Sequence, residues 1–173
     1  MRQIGKILVA GALALSAWAS AAQAKEIKVG IVNLSLCCAY FVGMDAAIKD
    51  EAKVFPNVKV ISTDAKGDVA KLTSNVEDLL SQKVDGIIIS GAWIGAAPEA
   101  LDAIKAAGVP VVLVDRMLKG GDFTSWIGPD NAAIGAGIGD YIAKRLNGKG
   151  TLVILRGGPA DNSIGLGRTN GVL

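Results

Sequence analysis

Polar and aromatic side chains that could contact a ligand stand directly after the apolar, strand-like runs of this sequence. Asp115 and Arg116 follow one such run, and Arg168 follows a glycine-rich turn later in the chain. Tyr40 and Phe41 stand side by side shortly after the first run. A carboxylate accepts hydrogen bonds from hydroxyl groups, a guanidinium donates them in a planar fork, and an aromatic face covers apolar C–H groups. Together these residue types favour a ligand rich in hydroxyl groups, such as a sugar.

The sequence offers no recognisable catalytic machinery. It contains no histidine, so the usual base for a serine or cysteine nucleophile and the commonest zinc ligand are both missing. The glycines of the segment 135–139 fail the dinucleotide fingerprint, because Asp140 stands where its last glycine is required. We interpret these glycines as sites of close helix packing, and we expect no catalytic residue, no metal ion and no cofactor.

The two cysteines are neighbours, Cys37 and Cys38. A disulfide between adjacent residues needs a strained ring, so this pair does not predict a structural bridge. We expect two small thiols in a loop, buried or half-buried.

The ligand-contacting side chains must be held by strands and helices that alternate along the chain. The pattern predicts strands at Glu26–Val32, Val58–Ser62, Gly86–Ser90, Val111–Val114, Thr124–Gly128 and Thr151–Leu155. Helices are predicted from Tyr40 to Val54, after an Asp68 cap, from Pro98 to Gly108, and after a cap at Asp130 or Asn131. This alternation predicts an α/β fold with a doubly wound parallel sheet, in which ligands collect beyond the carboxyl ends of the strands.

The first residues are typical of an export signal. Arg2 and Lys6 precede an apolar run, and small residues at Ala22 and Ala24 fit a signal peptidase site. The alternative is a membrane anchor, but the uninterrupted run is shorter than the about 20 residues that a spanning helix needs. We expect a signal peptide over residues 1–24, cleaved after Ala24. The net charge of +2 lies in this segment, so we expect no nucleic-acid partner.

Taken as a set, the motifs of the chain resemble the periplasmic sugar-binding proteins of ABC importers, of the ribose-binding type (periplasmic binding protein type I). They are KVGIV before a loop and an aromatic pair, DGIIIS, AAGVPVVLVDR, IGPDN and GGPADNSIGLGRTNG. The resemblance implies a periplasmic protein of two α/β lobes that close on a sugar across hinge strands. Residues 25–129 would form the N-terminal lobe, nearly complete, and residues 130–173 only the start of a second, truncated lobe.

The resemblance also implies roles for individual residues. Tyr40 and Phe41 match the aromatic pair that packs on the sugar ring. Asp115 and Arg116 match the pair that hydrogen-bonds its hydroxyls, and Arg168 matches the arginine of the second lobe. Three further candidates for ligand contact are Ser35, Cys38 and Asp130. Cys37 and Cys38 occupy a stretch where the family usually offers an asparagine, so the ligand is expected to differ from ribose or to bind through Ser35.

The family's partners follow from the same resemblance: a small-molecule sugar, an ABC permease complex in the inner membrane, and a chemoreceptor as a further possibility. One alternative is a binding protein for a polyol or furanose signal molecule that feeds a receptor. A ligand domain of the lactose-repressor type would need a helix-turn-helix where the export signal stands. A Rossmann dehydrogenase would need glycines after the first strand. We expect the truncated chain to bind sugar weakly or not at all.

Overall fold

A computed structural model of the chain describes residues 24–90, 94–118, 122–156 and 162–173. The predicted export signal at 1–24 therefore lies almost wholly outside the described residues, as do Gly120, Gly121 and the glycine-rich turn after Arg156. None of the described helices is both long and apolar enough to cross a membrane.

Five parallel strands form one sheet in the order β2-β1-β3-β4-β5. In chain order the strands are β1 (Ile27–Asn33), β2 (Val58–Asp64), β3 (Gly86–Ser90), β4 (Val111–Val114) and β5 (Ser125–Ile127). Between and after them come α1 (Ala39–Ala52), α2 (Val69–Ser81), a 3₁₀ turn at Ile94–Ala96, α3 (Pro98–Ala107), α4 (Asn131–Arg145) and α5 (Asn162–Val172). The predicted α/β fold with a parallel sheet is confirmed.

Helices cover both faces of this sheet. Along a strand, side chains alternate between the two faces. At Gly30 of β1, an added Cβ would lie 2.9 Å from Leu79 of α2. At Asn33, three residues on and therefore on the opposite face, the side chain reaches Asp45 of α1. The sheet is thus wound on both sides, and its central strands are fully buried at Ile31, Ile87 and Leu113.

The helix ends follow the local signals in the sequence. Asp68 caps α2 by accepting a hydrogen bond from the Lys71 N–H at 2.9 Å. Pro98 stands in the first turn of α3, and Gly108 ends that helix with a φ of 65°, a left-handed conformation that glycine adopts at little cost. These predicted boundaries are confirmed.

The predicted strand Thr151–Leu155 is wrong. Residues 151–156 form neither a strand nor a helix, and Leu155 is 94% exposed. A strand requires hydrogen bonds to a neighbouring strand, and no other described segment pairs with this one. Its apolar residues are typical of a strand, but pairing needs a partner that the local sequence does not specify.

Close packing of α4 against α5 explains the glycine-rich helix. A Cβ at Gly135 would lie 2.2 Å from the Arg168 carbonyl oxygen, and one at Gly139 would lie 2.8 Å from that of Val172. Both distances are shorter than a real Cβ contact allows, so only glycine fits at these positions. Our interpretation of these glycines as helix-packing sites is confirmed, except at Gly137, where a Cβ would meet nothing within 4 Å.

Candidate functional site

The carboxyl ends of the central strands meet at one edge of the sheet. Asn33 is paired with Ser90 and Ser90 with Val114, so the residues that end β1, β3 and β4 lie side by side. Asp115 is the first residue beyond β4. This is the edge where ligands bind in doubly wound folds.

The backbone holds Asp115 in an unusual conformation. Its φ is 73°, in the left-handed region that aspartate visits more often than most residues. The Asp115 N–H donates to the carbonyl oxygen of Ile127 in β5 at 2.8 Å, which fixes this turn. Only 11% of the side chain is exposed. Asp115 is therefore a nearly buried carboxylate with a fixed direction.

Gly128 allows this arrangement. A Cβ at this position would lie 2.7 Å from the Asp115 carbonyl oxygen and 2.5 Å from the ring of Trp126. The chain that leaves β5 can pass this close to Asp115 only because residue 128 has no side chain.

Tyr40 and Asp115 meet across the edge of the sheet. The Tyr40 hydroxyl donates to Oδ1 of Asp115 at 3.2 Å, and the Tyr40 side of this contact is open, with 56% of the residue exposed. Burial and the Asp115 carboxylate raise the pKa of Tyr40. Phe41 packs edge-on against Tyr40, with ring centroids 5.4 Å apart and planes at 67°. The structure thus brings the predicted aromatic pair to the predicted acid.

Two arginines lie near this pair. The Nε atom of Arg116 is 4.0 Å from Oδ2 of Asp115, and the Arg116 side chain is 22% exposed. Arg168, on α5, donates from Nε to Oδ1 of Asn131 at 2.9 Å. Both guanidinium charges act on Tyr40 and oppose the rise of its pKa, which places them within electrostatic reach of the phenol.

Asp130 lies nearby, and its side chain caps a helix. Its Oδ1 atom caps α4 by accepting from the N–H groups of Ala132 and Ala133, each at 3.0 Å. The predicted cap is confirmed. Asp130 also lines an open concavity of about 420 Å³ that it shares with Asp115, Trp126 and Asn131. A ligand contact by this residue stays a prediction.

The loop between β1 and α1 carries the remaining candidates. Ser35 is half-buried there. Cys37 and Cys38 are both exposed, so our expectation of buried or half-buried thiols is wrong. The reason is that the two cysteines lie where the loop joins α1 and not against the sheet. Cys38 occupies the N-cap position of that helix with an extended backbone. The pKa of Cys38 is lowered, chiefly by the backbone N–H of Phe41. Desolvation opposes this shift, and smaller contributions from Cys37 and the Tyr40 backbone add to it.

Asp45 is a buried acid that the sequence pattern did not predict. This residue is 6% exposed and lies on the face of α1 that contacts β1 and β2. Its Oδ1 atom accepts from Nδ2 of Asn33 at 3.1 Å and from Oγ of Ser62 at 2.5 Å, and its Oδ2 atom accepts from Nζ of Lys49 at 2.5 Å. Asp45 falls within the apolar stripe of Phe41, Met44, Ile48 and Ala52, and an acid inside such a stripe was the signal that could have revealed it.

The hydrogen bonds decide the charge of Asp45. Burial alone would raise the pKa of this carboxyl, but the hydrogen bonds from Lys49, Ser62 and Asn33 outweigh that effect and lower it. Asp45 is therefore ionised at neutral pH, with donors on both of its oxygens. The described residues hold no cluster of three or more potential metal-binding acids or thiols.

Comparison with known proteins identifies relatives of the chain. The family model described as a periplasmic binding protein domain matches residues 29–166. The ribose import binding protein of Bacillus subtilis is 37% identical over 129 residues, which are 75% of this chain and 42% of that protein. The xylitol-binding protein of Mycolicibacterium smegmatis is 29% identical over 98% of this chain and 49% of its own length.

A solved structure gives the same result. The fructose-binding periplasmic domain of a hybrid two-component system superimposes with a TM-score of 0.73 at 30% identity, covering 84% of this chain and 48% of that one. The chain spans about half the length of the curated relatives that it matches.

Proposed function

The chain belongs to the periplasmic binding protein domain family, and on that premise we propose that it supplies the first half of the sugar-binding site of an ABC importer's periplasmic solute-binding protein. It would bind its ligand without chemical conversion, as a receptor and not as an enzyme. The names of its relatives, which include ribose import binding proteins and a xylitol-binding protein, support a sugar or polyol ligand.

The observation that carries this proposal is the meeting of Tyr40 with Asp115 at the carboxyl edge of the sheet. Asp115 would accept hydrogen bonds from ligand hydroxyls, and Arg116 would donate to ligand oxygens. Tyr40 and Phe41 would cover the C–H face of the ring. Arg168 would approach from the other side, and Ser35, Cys38 and Asp130 are secondary candidates.

We divide the chain at the exit of β5. Residues 25–129 would form one lobe, which contains the five-stranded sheet, and residues 130–173 would begin a second lobe, which contains α4 and α5. In such a protein the ligand favours the closed arrangement of the lobes because it contacts both of them. Residues 1–24 would direct export to the periplasm and would be cleaved after Ala24, and the closed form would dock on an ABC permease complex in the inner membrane.

A second candidate is a binding protein for a polyol or furanose signal molecule that passes the signal to a receptor. The fructose-binding domain of a two-component system favours this possibility, as does the structural match to a galactofuranose-binding protein at 25% identity and a TM-score of 0.71. The two functions share the same ligand contacts and differ in the partner of the closed form.

Titration of the chain with D-ribose, D-fructose, xylitol and myo-inositol, followed by amide NMR shifts, tests the proposal. We expect saturable shifts at residues 35–41 and 115–116 for at least one of these compounds. Micromolar binding needs about 8 kcal/mol, whereas each charge-assisted hydrogen bond yields only about 1.5–3 kcal/mol. Affinity should therefore be weaker than micromolar. Of the two expectations for the truncated chain, weak binding or none, the proposal requires weak binding, so a flat response to all four compounds would contradict it.

A further inference from the structure

The helix that carries the aromatic pair is anchored to the sheet by a carboxylate. Of the 14 residues of α1, all of them described, only Asp45 is buried. Its apolar stripe is only half-buried. By contrast, α2 buries the apolar residues Leu72, Val76 and Leu79. The position of α1 on the sheet thus depends on polar contacts to an unusual degree.

These contacts join three elements at one point. Asn33 ends β1, Ser62 belongs to β2, and Lys49 lies one turn further along α1. Asn33 is itself held in place, because its Nδ2 group also donates to the Thr63 carbonyl oxygen at 3.0 Å. The Asp45 carboxylate therefore sits in a rigid socket formed by two neighbouring strands.

A buried carboxylate held by several hydrogen bonds fixes the position of its helix more closely than apolar packing does. Removing a partner from a buried charge is strongly unfavourable, and hydrogen bonds weaken quickly with distance and angle. Apolar contacts, by comparison, tolerate small sliding and rotation of a helix. Tyr40 precedes Asp45 by about 7.5 Å along the helix axis. Because the Tyr40–Asp115 contact is already 3.2 Å long, a shift of α1 by about 1 Å would break it.

We propose that Asp45, held by Asn33 and Ser62, is a positioning residue that sets the placement of Tyr40 against Asp115. The inference rests on the proposed function, since Tyr40 and Asp115 are the groups that we expect to contact the sugar. The Asp45 side chain faces the sheet, so its effect on the ligand would be exerted through Tyr40.

The test needs no ligand. The chain contains two tyrosines, Tyr40 and Tyr141, so Tyr141→Phe leaves Tyr40 as its single phenol. In that background the NMR shift of labelled Tyr40 Cζ, followed as the pH rises, reports the pKa of the phenol. Asp45→Asn and Ser62→Ala each weaken the socket, and Ile48→Ala removes a half-buried apolar contact from the same helix as the matched control.

We expect both socket variants to shift the Tyr40 pKa down towards that of a free phenol, because the carboxylate contact is lost. The control should leave it at the parent value. Should Asp45→Asn fail to fold, Ser62→Ala decides alone. An unchanged Tyr40 pKa in the socket variants that fold, or an equal fall in Ile48→Ala, would overturn the inference. Absence of sugar binding by the parent chain would instead contradict the proposed function. The comparison of the Tyr40 pKa among the variants would still test the role of Asp45.

Discussion

The hydroxyl of Tyr40 and the carboxylate of Asp115, 75 positions apart in the sequence, lie within hydrogen-bonding distance at the carboxyl edge of the sheet. Two separate structural features bring these two side chains together. The first is the left-handed turn at Asp115, which Gly128 permits. The second is the attachment of α1 to β1 and β2 through Asp45.

Gly128→Ala should destabilise the chain and disturb Asp115. The added methyl group would collide with the Asp115 carbonyl oxygen and the Trp126 ring, and overpacking of this kind costs about 1–3 kcal/mol. Urea denaturation measures the loss. Gly137→Ala is the matched control, since a Cβ there meets nothing within 4 Å and alanine favours a helix by up to about 1 kcal/mol. If the Gly128 variant and the parent are equally stable, the close approach of Gly128 to Asp115 and Trp126 does not contribute to the free energy of unfolding.

Asp45 should make the chain sensitive to acid. Its pKa is lowered in the folded state, so its stabilising contribution is fully present above the unfolded value of about 3.9. That contribution is lost as the pH falls through the lowered folded pKa. Thermal unfolding measured from neutral pH down to this range should show a steep loss of stability, and Asp45→Asn should flatten it.

The control for the acid effect is Asp50→Asn. Asp50 pairs with Lys53 on the surface of the same helix, where both side chains are more than 70% exposed, and such pairs contribute little. This variant should keep the acid dependence of the parent. If Asp45→Asn loses stability at low pH as steeply as the parent does, other carboxyl groups determine the acid sensitivity.

Gly135→Ala should separate α5 from α4. The methyl group would occupy the space of the Arg168 carbonyl oxygen, and backbone cannot give way as a flexible side chain can. We expect faster amide hydrogen exchange in α5 and loss of the Arg168–Asn131 contact. The exchange of β1 and β3 should not change, because these strands pack against other helices. Unaltered protection of α5 would contradict the packing role of this glycine.

The sequence predicted the sheet well for a physical reason. Central strands such as Gly86–Ser90 and Val111–Val114 are buried on one face and largely half-buried on the other, so their apolar runs are continuous, and glycine and proline mark their starts. Thr151–Leu155 has the same composition, yet it forms no strand because pairing depends on a distant partner. Local composition predicts the tendency of a segment to form a strand, and not whether a neighbour is available.

The candidate site was predictable only in part. The position of Asp115 followed from its place after a buried strand, and Tyr40 was recognised as part of an aromatic pair. Their direct contact could not be predicted, because it depends on how α1 lies on the sheet. The burial of Asp45 could not be predicted, because an acid in a helix normally faces water. The exposure of Cys37 and Cys38 depends on the path of a loop, which residue type does not determine.

The most direct test of the central claim is the effect of Asp115→Ala on the sugar-induced NMR shifts of residues 35–41. Asp115 is the nearly buried carboxylate that we propose accepts the ligand's hydroxyls, so its removal should abolish the saturable response, while the surface variant Asp50→Ala should respond like the parent. If Asp115→Ala binds the same sugar with the parent's affinity, the proposed site is wrong.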